Sequence, residues 1–156
     1  MGQVVAWLAQ TSLSLSIQTH EWVIPTVQSI HIVAIGVVLA SVFMIDLRIL
    51  GWAGKDQTLT ETTARFGPWV TGALCVLLVT GVLMVLGEPA RELLAFSFWL
   101  KMCLIVLGTI FISLAHRCSA KPVAILTILI WFAIVFLGRL IAYDHIWGAW
   151  SHSPKA

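Results

Sequence analysis

Four long apolar runs, at about residues 22–44, 68–86, 94–114 and 123–143, are separated by short polar segments. A helix needs about 20 mostly apolar residues to cross a bilayer, and these runs meet that length. The pattern predicts an all-α fold, a four-helix transmembrane bundle in a single integral membrane domain spanning residues 1–156. The first twenty residues read differently. Val4, Val5, Leu8, Ala9, Leu13 and Ile17 recur at roughly helical spacing near Trp7, diluted by Gln and Ser. That suits a short N-terminal helix lying in the membrane interface; a frayed start to the first span is the alternative. With no positive n-region, the segment does not read as a signal peptide.

The breaks between runs are explicit. Pro25 falls in the first turn of the first span, where its missing N–H costs nothing. Gly51 to Gly67 is a polar connection, within which Thr58 to Phe66 suits a short amphipathic helix. Gly87-Glu88-Pro89 ends the second span, and Arg91-Glu92 follows in a turn. His116-Arg117 closes the third, and Lys121-Pro122 opens the fourth. Gly36 and Ala40 form a small-xxx-small pair that lets another helix approach closely.

Composition sharpens this. The chain is 60% hydrophobic and 10% charged, against about 25% charged in soluble domains, so lipid is its solvent. A net charge of +2 is too small and too scattered along the chain to suggest a nucleic-acid partner. Cys75, Cys103 and Cys118 show no metal-ligand spacing, and the two inside spans read as core filler. Four spans put both termini on one face, side A. Side B carries Arg48, Lys55, Arg65, Arg117 and Lys121, and the positive-inside rule makes it cytoplasmic. Trp22, Trp99, Trp147 and Trp150 at side A, with Trp52 and Trp69 at side B, suit an aromatic belt.

Ionisable residues inside a membrane are costly and are candidates for function. His31 lies about 12 Å in from side A, and Lys101 and Arg139 about 6 to 10 Å in, at the helical rise. One imidazole and two cations from three helices thus share a leaflet and should face the bundle interior. Glu21, Glu88, Glu92 and Asp144 sit at its edge, leaving no internal carboxylate to neutralise the cations. Haem b fits: His31 as axial ligand to the iron, Lys101 and Arg139 on the propionates, Tyr143 one turn beyond to assist. The alternative is a histidine bonded across a helix interface, with snorkelling cations. His20 and His145, with Glu21, Asp144 and His152, could instead hold copper or zinc at the side-A edge, though simple solvation there is the better reading. Asp46, Arg48 and Arg65 suggest a structural charge network at the side-B edge.

The run from His31 to Asp46-Leu47-Arg48, then Arg65-Phe66-Gly67-Pro68-Trp69, Trp99-Leu100-Lys101 and Gly138-Arg139-Leu140-Ile141-Ala142-Tyr143 resembles a family of uncharacterised small four-span bacterial membrane proteins. More distantly the layout is similar to the membrane-integral protoporphyrinogen oxidase and copper resistance D families. The former has a first-span histidine, an arginine closing that span and a third-span lysine, from which Trp99-Leu100-Lys101 departs in spacing. The resemblance implies a haem-associated role for His31 and Lys101. It also implies the bacterial inner membrane, with both termini periplasmic by the charge asymmetry.

The resulting expectation is a b-type cytochrome-like protein passing electrons toward the quinone pool. It would act as a subunit beside a protein partner or as a homo-oligomer. A non-redox membrane anchor and periplasmic-side copper handling are the alternatives.

Overall fold

The computed structural model describes the backbone of residues 2–118 and 121–147, and side chains of 2–114 and 121–139. Seven helices follow in order: α1 (Gly2–Ala9), α2 (Ser12–Thr19), α3 (Val23–Leu50), α4 (Leu59–Gly87), α5 (Pro89–Leu93), α6 (Phe96–Cys118) and α7 (Lys121–Trp147). Four of them, α3, α4, α6 and α7, are long and apolar enough to cross a membrane. This is a multi-pass membrane protein with a helical bundle, as the apolar runs predict.

A heptad-like stripe lies behind the packing of α3. Val27, Ala34, Val38, Val42, Ile45 and Ile49 are buried, with half-buried His31 in the same row. Across from it, Thr62, Val70, Ala73, Thr80 and Gly87 form the buried row of α4. Steps of three and four keep one face of each helix toward its partner. Antiparallel α3 and α4 therefore make one hairpin, α6 and α7 a second, and the two join chiefly along α3 and α7. The central layer is Val38, Val42, Val70, Ala73, Ile130, Trp131 and Ile134, and it is built from hydrophobic residues alone. Nearer side B, Ile45, Ile49, Leu50 and Ala124 pack with Leu59 and Phe66. Large side chains off these stripes, such as Val33, Leu78 and Phe136, point outward where lipid would cover them.

The structure extends and corrects the expected elements. The anticipated amphipathic helix over residues 58–66 is the start of α4, which runs through Pro68. A capping box explains the early start: Glu61 N–H donates to Thr58 Oγ1 at 3.2 Å, and Thr58 N–H donates to Glu61 Oε2 at 2.7 Å. Both satisfy orphan donors at a helix start. At the other end of the loop, α3 stops on Gly51 at φ 77°, a left-handed cap that a side chain would disfavour. The N-terminal segment is two short helices, because Thr11 caps a new one by accepting from Ser14 N–H. Cys75 and Cys103 are exposed, facing outward and not into the core.

The anticipated Asp46–Arg48–Arg65 network does not form. Asp46 is 2% exposed and its Oδ2 has no hydrogen-bond partner. Arg48, two residues on, points to the other side of the helix, where its Nε donates to Gln57 O at 2.5 Å. Arg65 lies over its neighbour's ring, Phe66, at 5.6 Å.

At side A the short helices close over the bundle end. Ser14 is fully buried, and its hydroxyl donates to Leu86 O at 2.7 Å, satisfying a carbonyl of the last turn of α4. Gln18 Nε2 donates to Ser14 Oγ at 2.9 Å. Gly87 permits this closure, since a Cβ there would strike Ile24 and come within 3.1 Å of Ile17 Cγ2.

Candidate functional site

His31 and Thr80 meet across the α3–α4 seam, with Nδ1 2.7 Å from Oγ1. The hydroxyl has one proton, which Thr80 donates to Val76 O of its own helix, Oγ1 standing 2.7 Å from that oxygen. Its remaining capacity is to accept. With that proton on Val76 O, the bond to His31 is donated by Nδ1–H, and the lone pair falls on Nε2. No described residue donates a hydrogen bond to that nitrogen. Gly81, next to Thr80, keeps the ring edge clear: a Cβ there would sit 3.8 Å from His31 Cε1.

Lys101 comes from α6 and is half-buried. Its stem runs beside Gly138 of α7, where a Cβ would stand 4.0 Å from Lys101 Cδ. Its ammonium lies 5.6 Å from the centre of the Phe98 ring, one turn earlier. The charge is near enough to act on both His31 and Glu92. Arg139, on α7, is exposed. Tyr143 continues the helical backbone of α7 one turn on, and its side chain lies outside the described residues.

The residue that sequence reasoning missed is Glu92. It belongs to α5, a five-residue helix wedged at the end of the bundle, and it is 5% exposed. It stands at the bundle end, as its place in the chain predicts, but it is buried within the protein and not solvated there. Burial pushes its carboxyl above the usual carboxylate range; the positive charges of Lys101 and Arg91 oppose that, and Glu88 adds to it. The signal available in the sequence was Pro89, which starts a helix well and so turns the Arg91-Glu92 segment into a helical wedge. Arg91 itself pairs with Glu88 at the surface.

The proposed edge metal site is only partly within the described residues. His20 is exposed, with Nδ1 2.9 Å from Ser16 O. His145 and His152 have no described side chain, and neither has His116. Among the described residues no three His, Cys, Asp or Glu side chains gather. An apolar groove of about 340 Å³ lies deeper, between Gly36, Ala40 and Phe43 of α3 and Ile128, Trp131 and Phe132 of α7. His31 does not line it.

A half-buried histidine hydrogen-bonded across a helix seam, within the field of a half-buried lysine, gives this four-span helical bundle a polar site inside a membrane protein. The model of DUF6644, a family of unknown function, matches residues 5–144, and the chain belongs to that family. No curated protein and no solved structure matches the chain.

Proposed function

We propose that the protein is a b-type cytochrome-like membrane protein, with His31 as an axial ligand to haem iron. The observation that carries this is the Thr80 hydrogen bond, which leaves the Nε2 lone pair of His31 available. Metal-bound histidines ordinarily donate the other ring N–H to a fixed acceptor, which sets the tautomer and the ring orientation. Thr80 supplies that acceptor. Lys101, and Arg139 and Tyr143 from the side-A end of α7, are the candidates to meet the propionates. Bound haem would supply one-electron transfer, and the chain would pass electrons toward the quinone pool as one subunit of a larger complex. Membership of a bacterial inner membrane, with both termini periplasmic, follows from the charge asymmetry of the loops and from the likeness to small bacterial four-span proteins. The more distant likeness to the membrane-integral protoporphyrinogen oxidase and copper resistance D families supports a haem or metal role and no particular activity.

A second reading has its own observation. Glu92 gives Lys101 an internal countercharge, so the cation does not require a ligand. On that reading the chain is a non-redox anchor or accessory subunit, and the His31–Thr80 bond fixes the register of α3 against α4.

Absorption spectra of the full chain, expressed with ample haem, separate the two. The haem reading expects a Soret band that disappears in His31→Ala while helicity by circular dichroism is retained. Wild-type protein with no Soret band would falsify it and leave the anchor reading.

A further inference from the structure

The seam between α3 and α4 runs on from His31 to the side-A end of the bundle. Thr80 and Gly87 stand seven residues apart in the buried row of α4. His31 and Ile24 stand seven apart on α3. His31 Nδ1 lies 2.7 Å from Thr80 Oγ1. Two turns further on, Ile24 lies so close to Gly87 that a Cβ there would strike its Cδ1. One antiparallel register therefore holds both meetings. Helix α2 roofs the second. Ile17 Cγ2 would be 3.1 Å from that same Cβ, and Ser14 ties α2 to Leu86 O, one residue before Gly87. The loop joining α3 to α4, residues 51–58, is at the other end. The roofed contact thus closes the free end of the hairpin.

We infer that Gly87 and Ile24 are positioning residues for His31: their contact sets the spacing of α3 and α4 at which the imidazole reaches Thr80. The axes of packed helices stand about 8 to 10 Å apart, according to the side chains between them. A glycine in the contact allows the close limit. A larger residue at 87 would have Ile24 on one side and Ile17 on another, so α3 must move off. The pair then opens as a hinge at the 51–58 loop. At the helical rise His31 lies about 28 Å from that hinge and Ile24 about 39 Å, so about seven-tenths of any opening is felt at His31. A wedge of about 2 Å at Gly87 moves His31 about 1.4 Å from Thr80. Nδ1 and Oγ1 would then stand about 4 Å apart, beyond hydrogen-bond reach. The inference holds for either reading of His31, as haem ligand or as register pin, since it concerns only the bond to Thr80.

The ring tautomer reports this spacing. Which nitrogen carries the proton is set by the hydrogen bond the ring makes, and a neutral histidine without an acceptor at Nδ1 favours Nε2–H. One hydrogen bond of typical net strength shifts that ratio about fivefold. A loss of stability elsewhere in the bundle leaves the ratio where it was, so the tautomer separates positioning from a merely structural role.

The full chain, labelled with nitrogen-15 in its histidine rings, is measured by NMR in detergent without haem, near pH 8, where histidine is ordinarily neutral. The His31 signals are those lost in His31→Ala. Wild type should show Nδ1–H as the major form. Gly87→Leu should lower the ratio of Nδ1–H to Nε2–H about fivefold or more. Ile24→Ala added to Gly87→Leu should restore the wild-type ratio, because it removes the side chain that the wedge strikes. A wild-type ratio in Gly87→Leu overturns the inference, and so does a double variant that stays shifted. If Gly87→Leu does not fold, Gly87→Ala decides: a smaller shift in the same direction supports positioning, and an unchanged ratio overturns it. Wild type with Nε2–H as its major form overturns the inference at the outset, and the haem reading is still decided by its own Soret test.

Discussion

His31 and Asp46 lie about four turns apart on the buried side of α3. Each is an ionisable group inside a membrane helix, and their surroundings differ completely. His31 faces Thr80, whose own proton is placed on a backbone carbonyl, and it feels the charge of Lys101. Asp46 lies in the layer of Ile45, Ile49 and Ala124, and its buried oxygen has no partner. Between them stands a layer of Val38, Val42, Val70, Ile130, Trp131 and Ile134 whose side chains offer no polar atom to a proton or ion except the unpartnered Trp131 Nε1. The side-A half thus holds a histidine hydrogen-bonded across a helix seam, and the side-B half a carboxyl whose buried oxygen has no partner. Connection distinguishes a candidate site from an expensive residue, since intramembrane polarity by itself marks both.

The comparison is sharpest when one polar group is removed from each half. Thr80→Val should lower stability by about 1 to 3 kcal/mol, because the His31 N–H is left without an acceptor. Thermal or denaturant unfolding in detergent measures this, and an unchanged midpoint would mean that the His31–Thr80 bond contributes nothing. Asp46→Leu should have the opposite sign. It replaces a buried carboxyl with no partner by an apolar side chain of the same branching, and should raise stability by about 1 to 2 kcal/mol. A clear loss of stability would show that Asp46 has a role that the packing of α3, α4 and α7 does not reveal. The smallest effect is at the loop between the halves of the first hairpin. Thr58→Ala removes the α4 cap and should cost about 1 kcal/mol without altering any haem spectrum. A spectral change there would mean that the capping turn communicates with the side-A site.

The sequence alone determined the solvent, the number of spans and the depth of the costly residues. A run such as Val23 to Met44 has no other stable solution in lipid than a helix, because every backbone group must be satisfied within it. The helical rise then assigned His31 and Lys101 to one leaflet. Which of these side chains meet was decided by tertiary structure. Asp46 and Arg48 are close in sequence but point to different sides of α3, so their pairing failed. Glu92 is buried because Pro89 starts a short helix that packs at the bundle end. The Nδ1–H tautomer of His31 depends on Thr80, on the neighbouring helix and 49 positions away in sequence. Lengths and depths are local consequences of helix geometry, whereas partners across a seam depend on how two helices rotate and slide against each other, and no single run of residues carries that information.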